Sequence, residues 1–431
     1  MIPEGDRYWL KNAHIPVCLV EGAPLAAPTQ DGLGLFDLEI SGDVISQILP
    51  AGMPSEIPAI DLKKGIVLPC FVDAHTHLDK GQIWERSPNP DGRFESAIAA
   101  CQMDSQRYWK AEDVYRRMAF DLQCAYAYGT KAIRTHIDSF GEQAEISWGV
   151  FKTLQNEWKD RIIFQAVSLV SLDYFLTREG IKLADKVAEN GGLLGGVAYV
   201  NPELETQLNT IFTLAQERQL NLDFHVDENG NPDSICLKKM AETAIEKQFS
   251  GQILCGHCCS LAVQPPELVY ETLNLVKQAN MSIVSLPMCN LYLQDREAET
   301  TPYWRGVTLV HELKKQEIPV SFASDNCRDP FFGFGDHDVL EVFEQAVRIA
   351  HLDRPYSDWI ASVTRTPADL MNLHDLGRVG VGLPADLILF KARYFSELLA
   401  RNQHDRVILR SGKAIEAKLP DYSELDDLVI R

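Results

Sequence analysis

The chain has 431 residues, enough for one large barrel or for two or three smaller domains. Hydrophobic residues make up 45% and charged residues 24%, ordinary for a globular protein with a sizeable core. A net charge of −20 argues against a nucleic-acid backbone or an anionic membrane surface as partner, because both select clustered Lys and Arg.

Ten cysteines are scattered along the chain with no recurring CxxC pair, the usage expected of reduced thiols in a cytoplasmic protein. Cys258 and Cys259, although next to His257, read as small buried fillers. The N-terminus lacks a basic segment followed by an apolar one, and no apolar run approaches ~18 residues. Neither a signal peptide nor a membrane span is expected.

Residues 7–65 read as short strands and turns, with strand candidates at 8–10, 17–20, 36–40 and 44–49 and a turn at Ser41-Gly42-Asp43. From residue 66 the rhythm changes. Short apolar strands at 66–72, 131–137, 162–170, 193–199, 221–226, 251–256, 281–286 and 318–324 alternate with helix-period segments at 111–128, 146–159, 204–219, 233–248, 266–279 and 306–316. Eight such strands, each followed by a helix, predict an α/β fold, a (β/α)8 TIM barrel. After 376 strands return at 385–390 and 406–410. Gly377-x-x-Gly380-x-Gly382 has no strand before it and no helix after it, so its glycines read as turn residues. The expected organisation is a small β-sandwich domain built from both chain ends, 1–65 and 376–431, and a barrel over 66–375.

The ends of the barrel strands carry the chemistry. Phe71-Val72-Asp73-Ala74-His75-Thr76-His77 follows the first strand, and residues two apart on a strand share one side. His225 and Glu228 follow the fifth strand, His257 the sixth, and Asp325 the eighth. Taken singly each residue has a plain explanation: Glu228 a solvated loop carboxylate, Asp325 a helix cap, His136 a satisfied core histidine. Asp79, Lys80, Asp138 and Asp227 read equally well as surface charges or as partners that orient ligands. Six metal-ligand or acid–base groups arriving in order at barrel mouths is what plain explanations do not cover.

Over nearly its whole length the chain resembles the amidohydrolase superfamily, and within it the cytosine deaminase branch. The resemblance rests on Leu68–Asp79, Arg134-Thr135-His136-Ile137-Asp138, His225-Val226-Asp227-Glu228, Gly256-His257, Ala323-Ser324-Asp325-Asn326 and Gly382–Leu387. It implies one divalent ion, zinc or iron, bound by His75, His77, His225 and Asp325. It further implies that His257 holds the attacking water, that Asp325 takes its proton, and that Glu228 shuttles protons to the ring nitrogen and the departing amine. Binuclear relatives carry a bridging lysine at the end of strand four; residues 193–200 contain none, which favours a single ion.

The sequence departs from that branch at the ring-reading positions. Ser171 stands where cytosine deaminases have a glutamine, Asn326 where a second aspartate is common, and Phe331 where bacterial cytosine deaminases have tryptophan. A serine lacks the paired donor and acceptor of an amide. Asp325-Asn326, with Asp79-Lys80, also resembles the N-isopropylammelide amidohydrolases. The expected activity is therefore hydrolytic deamination of cytosine or a related amino-substituted N-heterocycle, with ammonia released. The alternative is release of an alkylamine from an N-alkyl triazine, and a non-catalytic scaffold of the same fold is a third. A homo-oligomer acting on a small nucleobase-like or triazine-like molecule is expected, without nucleic-acid or membrane partners.

Overall fold

The computed structural model describes residues 2–3, 5–22, 27–356, 358–416 and 418–429. The chain forms two compact units. One comprises residues 1–72, 125–132 and 338–419, and the other 73–124, 133–337 and 420–431. Residues 338–375 thus group with the chain ends, and 420–431 with the barrel.

The first unit brings the N-terminal segment together with residues 338–419. Strands Val44–Pro50, Leu33–Ser41, Arg7–Pro16 and Ala59–Asp61 form one four-stranded sheet in that order. Lys413–Ala414, Val407–Arg410, Leu387–Leu389 and Val67–Pro69 form a second, antiparallel throughout. Gly42, at φ 64°, supplies the left-handed residue that the two-residue turn between Ser41 and Val44 requires. Tyr8, Leu10, Phe36, Leu38 and Ile40 of the first sheet share one apolar core with Val67, Leu387, Leu389 and Leu409 of the second.

The second unit is a barrel. Strands four to eight, Leu194–Ala198, Leu222–Val226, Ile253–His257, Met281–Ser285 and Val320–Phe322, form a parallel five-stranded sheet in sequence order. Strands one to three, Phe71–Thr76, Thr130–Asp138 and Ile163–Leu169, form a three-stranded sheet. Parallel bridges Val167–Leu193 and Ser171–Val197 join strand three to strand four, and Thr76–Asp325 joins the ends of strands one and eight. The ring is thereby closed, as the strand–helix alternation predicts.

Several local expectations need correction. Val17–Leu19, expected within a strand, form a 3-10 helix, and Gly380, read as a turn glycine, lies in the short strand Val379–Gly380 that pairs with Val20–Glu21. The apolar run 66–72 is not one strand. The run breaks at Cys70, so Val67–Pro69 pairs with Leu387–Leu389 in the small sheet, and the barrel strand begins at Phe71. Residues 94–108, to which the periodicity assigns no element, form a helix. The loop before that helix is pinned by Arg86, whose guanidinium binds Asp104 at 2.8–2.9 Å and Asp113 at 2.6–3.1 Å. No disulfide forms among the described residues, and every cysteine but Cys18 is buried. No helix of the described residues is long and apolar enough to cross a membrane.

Candidate active site

His75 lies within strand one, and His77 just beyond its end. His225 lies within strand five and His257 ends strand six. Asp325 follows strand eight, its backbone N–H donating to His75 O at 2.9 Å. His257 and Asp325 have φ values of 69° and 62°, a left-handed conformation that non-glycine residues adopt at a cost. The closed ring holds them there, and the sharp turn carries each side chain over the barrel mouth.

The four predicted ligands converge. His77 Nε2 is 3.1 Å from His225 Nε2 and 3.2 Å from Asp325 Oδ1, and His75 Nε2 is 3.5 Å from the same oxygen. Four donors about 2.1 Å from one tetrahedral ion stand roughly 3.4 Å from one another. Both ring nitrogens of His75, Nδ1 of His77 and of His225, and both oxygens of Asp325 are buried with no hydrogen-bond partner among the described residues. Buried polar atoms are rarely left so. Burial first, and then neighbouring positive groups, holds the three imidazoles well below their ordinary pKa, so they are neutral, the form that ligates metal. Burial pushes Asp325 up to about 7; a carboxyl so desolvated needs a cation beside it to ionise fully. The donor set fits one divalent ion.

Glu228 and His257 stand side by side next to the four converging groups. Glu228 Oε1 is 3.1 Å from His257 Nδ1 and accepts from Asn290 Nδ2 at 3.2 Å. Burial alone would lower the pKa of His257, but the charges of Glu228 and Asp325 outweigh it and raise it. Glu228 is not a solvated loop carboxylate: its side chain is 12% exposed. Its loop is fixed by Asp227, whose carboxylate accepts from the backbone N–H of Cys236 and Leu237 at the start of the helix Cys236–Glu246. Asp227 is therefore a buried helix anchor, not a surface charge.

His77, His225, Glu228 and His257 open into a cavity of about 690 Å³ that Ser171, Asn326 and Phe331 also line. All three ring-reading candidates thus reach the same space as Glu228 and His257. Asn326 Nδ2 donates to Asp329 Oδ2 at 2.6 Å, and Asp329 also caps the backbone of Phe331 and Phe332. The Phe331 ring meets the Phe94 ring edge-on, with centroids 5.6 Å apart.

His136 departs from expectation. It is buried, but neither ring nitrogen has a hydrogen-bond partner among the described residues. Its ring lies 4.0 Å from that of His75, and Nε2 is 3.6 Å from Asp223 Oδ1. Sequence reasoning missed Asn290, which contacts both Glu228 and His257. The place of Asn290, five residues past the end of strand seven, was the available signal. Also missed was Asp73, which ties strand one to the end of strand eight by accepting from Ser324 N and Oγ.

The amidohydrolase family model matches residues 143–409. A pterin deaminase of Rhizobium rhizogenes (strain K84) is 47% identical over 429 residues, spanning 99% of this chain and 98% of that protein. An N-isopropylammelide isopropyl amidohydrolase of Pseudomonas sp. (strain ADP) is 27% identical over 368 residues, 83% of this chain and 88% of the relative. In structure, a 5-methylcytosine deaminase from Klebsiella pneumoniae, solved with 5-fluorocytosine, superposes with a TM-score of 0.81 at 24% identity, covering 94% of this chain and 97% of that one. The chain belongs to the amidohydrolase family.

Proposed function

We propose that the protein is a metal-dependent aminohydrolase that replaces the 2-amino group of a 2-amino-4-oxo-pteridine ring with oxygen and releases ammonia. The observation that carries the reaction type is the convergence of His75, His77, His225 and Asp325, with facing atoms 3.1–3.5 Å apart, beside the Glu228–His257 pair that lines the cavity. His75, His77, His225 and Asp325 would hold the ion. A divalent ion there lowers the pKa of water from ~16 towards ~7 and so supplies the nucleophile at neutral pH.

The chain's own groups do the rest. His257, held by Asn290 at 3.0 Å, orients the attacking water against the ring carbon. Glu228 takes a proton from the attacking water and delivers it to the ring nitrogen beside that carbon, which makes the carbon more electrophilic. It then carries the remaining proton of the added hydroxyl to the amine, so that ammonia leaves and the new C–O group becomes a carbonyl. Phe331 and Phe94 offer aromatic faces and edges to a flat ring.

The ring assignment is supported by the near full-length pterin deaminase relative. The cavity supports it too, since 690 Å³ lies in the range of pockets for drug-sized ligands, more than one pyrimidine ring needs. Cytosine, the ring first suggested by the motifs, therefore ranks second. Release of an alkylamine from a triazine is kept as a third outcome by the N-isopropylammelide relative.

The test is product release. Zinc- and iron-loaded protein is offered pterin, cytosine, 5-methylcytosine and N-isopropylammelide, and assayed for ammonia and for free alkylamine. Ammonia from pterin is expected. Ammonia from cytosine alone, or alkylamine alone, would reassign the ring, and silence with metal bound would overturn the reading.

A further inference from the structure

Lys80 is 3% exposed and lines the cavity. Its ammonium has one acceptor among the described residues, Asp138 Oδ1 at 2.6 Å. An ammonium carries three N–H donors, and buried donors seldom go without partners. Two of the three therefore have no acceptor among the described residues. Asp138, which also lines the cavity, keeps Oδ2 without a hydrogen bond among the described residues. The pair is held firmly. Asp138 N–H donates to Asp79 Oδ2 at 2.8 Å, and Asp79 O accepts from the buried Arg117 at 2.6 Å.

We propose that Lys80 and Asp138 form a donor–acceptor couple that reads the lactam edge of the substrate ring, an N–H beside a C=O. Lys80 Nζ donates to the ring carbonyl oxygen, and Asp138 Oδ2 accepts from the adjoining ring N–H. In a 2-amino-4-oxo ring this edge adjoins the carbon that loses its amine, so gripping the edge points that carbon at Glu228 and His257. The inference rests on the aminohydrolase reading above. It also accounts for Ser171. A lone hydroxyl cannot present a donor and an acceptor to two adjacent ring atoms, and the Lys80–Asp138 pair supplies both, from the loop after strand one and the last residue of strand two. A pair that merely tied those segments together would leave ring selectivity untouched.

The test compares the metal-loaded wild type with Lys80→Met and Asp138→Asn on three rings. These are pterin, 3-methylpterin, which lacks the N–H but keeps the carbonyl, and 2-aminopteridine, which lacks both. The readout is kcat/KM for ammonia release, taken as the ratio of pterin to each analogue, so that intrinsic reactivity cancels between variant and wild type. Metal content and melting temperature are measured alongside. Charge-assisted hydrogen bonds set the scale, so Lys80→Met should lower kcat/KM for pterin by roughly 10- to 100-fold. Its preference for pterin over 2-aminopteridine should collapse by a similar factor, and Asp138→Asn should do the same against 3-methylpterin. Folded variants that keep the wild-type ratios would overturn the proposal. If a variant does not fold, the wild type decides, because equal turnover of pterin and 3-methylpterin would also overturn it. Turnover of cytosine but not pterin would remove the pterin reading and the couple together, because the lactam N–H of cytosine lies across the ring from the carbon that loses its amine. Silence on every ring would remove both.

Discussion

Replacing Glu228 with glutamine separates proton transfer from everything else the site does. Glutamine keeps the length of the side chain and an oxygen that can accept from Asn290, now at 3.2 Å, so the cavity and the Asn290 contact should survive. It cannot deliver or take up a proton at the ring nitrogen. A positioned acid–base group contributes about 10²- to 10⁴-fold to rate. At about 1.4 kcal/mol per tenfold, that is roughly 3–5 kcal/mol of barrier. Glu228 is asked to act on both the ring nitrogen and the departing amine, so the upper half of that range, about 10³- to 10⁴-fold in kcat, is expected. The four proposed metal donors are other residues, so bound metal should stay at wild-type stoichiometry. The assay is ammonia release at saturating substrate, with elemental analysis of the same preparation. A fall in kcat smaller than about tenfold with metal retained would refute the shuttle role. Loss of the metal would refute the assignment of Glu228 outside the ligand set.

Asp325→Ala should lose both metal and activity, read by elemental analysis and ammonia release; a variant that keeps its ion would remove Asp325 from the ligand set. Arg86→Met leaves Asp104 and Asp113 without their shared cation, and the Arg86 side chain is only 2% exposed. Breaking a buried pair in this way costs about 3–5 kcal/mol, visible as a lower urea midpoint. An unchanged midpoint would show the network to be solvent-screened. Tyr8 donates to Gly412 O at 2.6 Å, and burial raises its pKa to about 12. A pKa raised in the fold means stability is complete below the unfolded value near 10 and is lost as pH rises through about 12. Tyr8→Phe should therefore flatten the alkaline limb of stability between pH 10 and 12, followed by circular dichroism. A limb identical to wild type would refute the assignment.

The barrel was legible because its two periods are local. Runs such as Leu222–Val226 and Ile253–His257 carry apolar residues in a short stretch, and helices such as Leu204–Arg218 repeat them at three and four. The chemistry at the strand ends was legible for a related reason: a histidine or acid placed directly after a strand in a barrel reaches the catalytic face whichever helices surround it. The helix Phe94–Tyr108 was not legible. One of its faces lines the cavity, where Gln102, Ser105 and Gln106 stand beside Phe94, Ile98 and Cys101 and blur the helical period. The split at Cys70 was hidden because both halves are apolar, and only pairing with Leu387–Leu389, more than 300 residues on, draws Val67–Pro69 into another sheet.

Residue type and order were thus set by the sequence alone: three imidazoles, two carboxylates and a further histidine, each at a strand end. Which of them meet was decided by the closed ring. Asn290 reaches Glu228 across 62 positions, and Ser324 reaches Asp73 across 251. Asp227 and Asp138 look alike in sequence, each a charge just after a strand. One anchors a helix terminus and the other faces the cavity with Lys80. Local periodicity is encoded by neighbours in the chain, whereas hydrogen-bond partners and burial come from strands far apart in it. Only their packing leaves one acid satisfied by backbone and another free to meet a substrate.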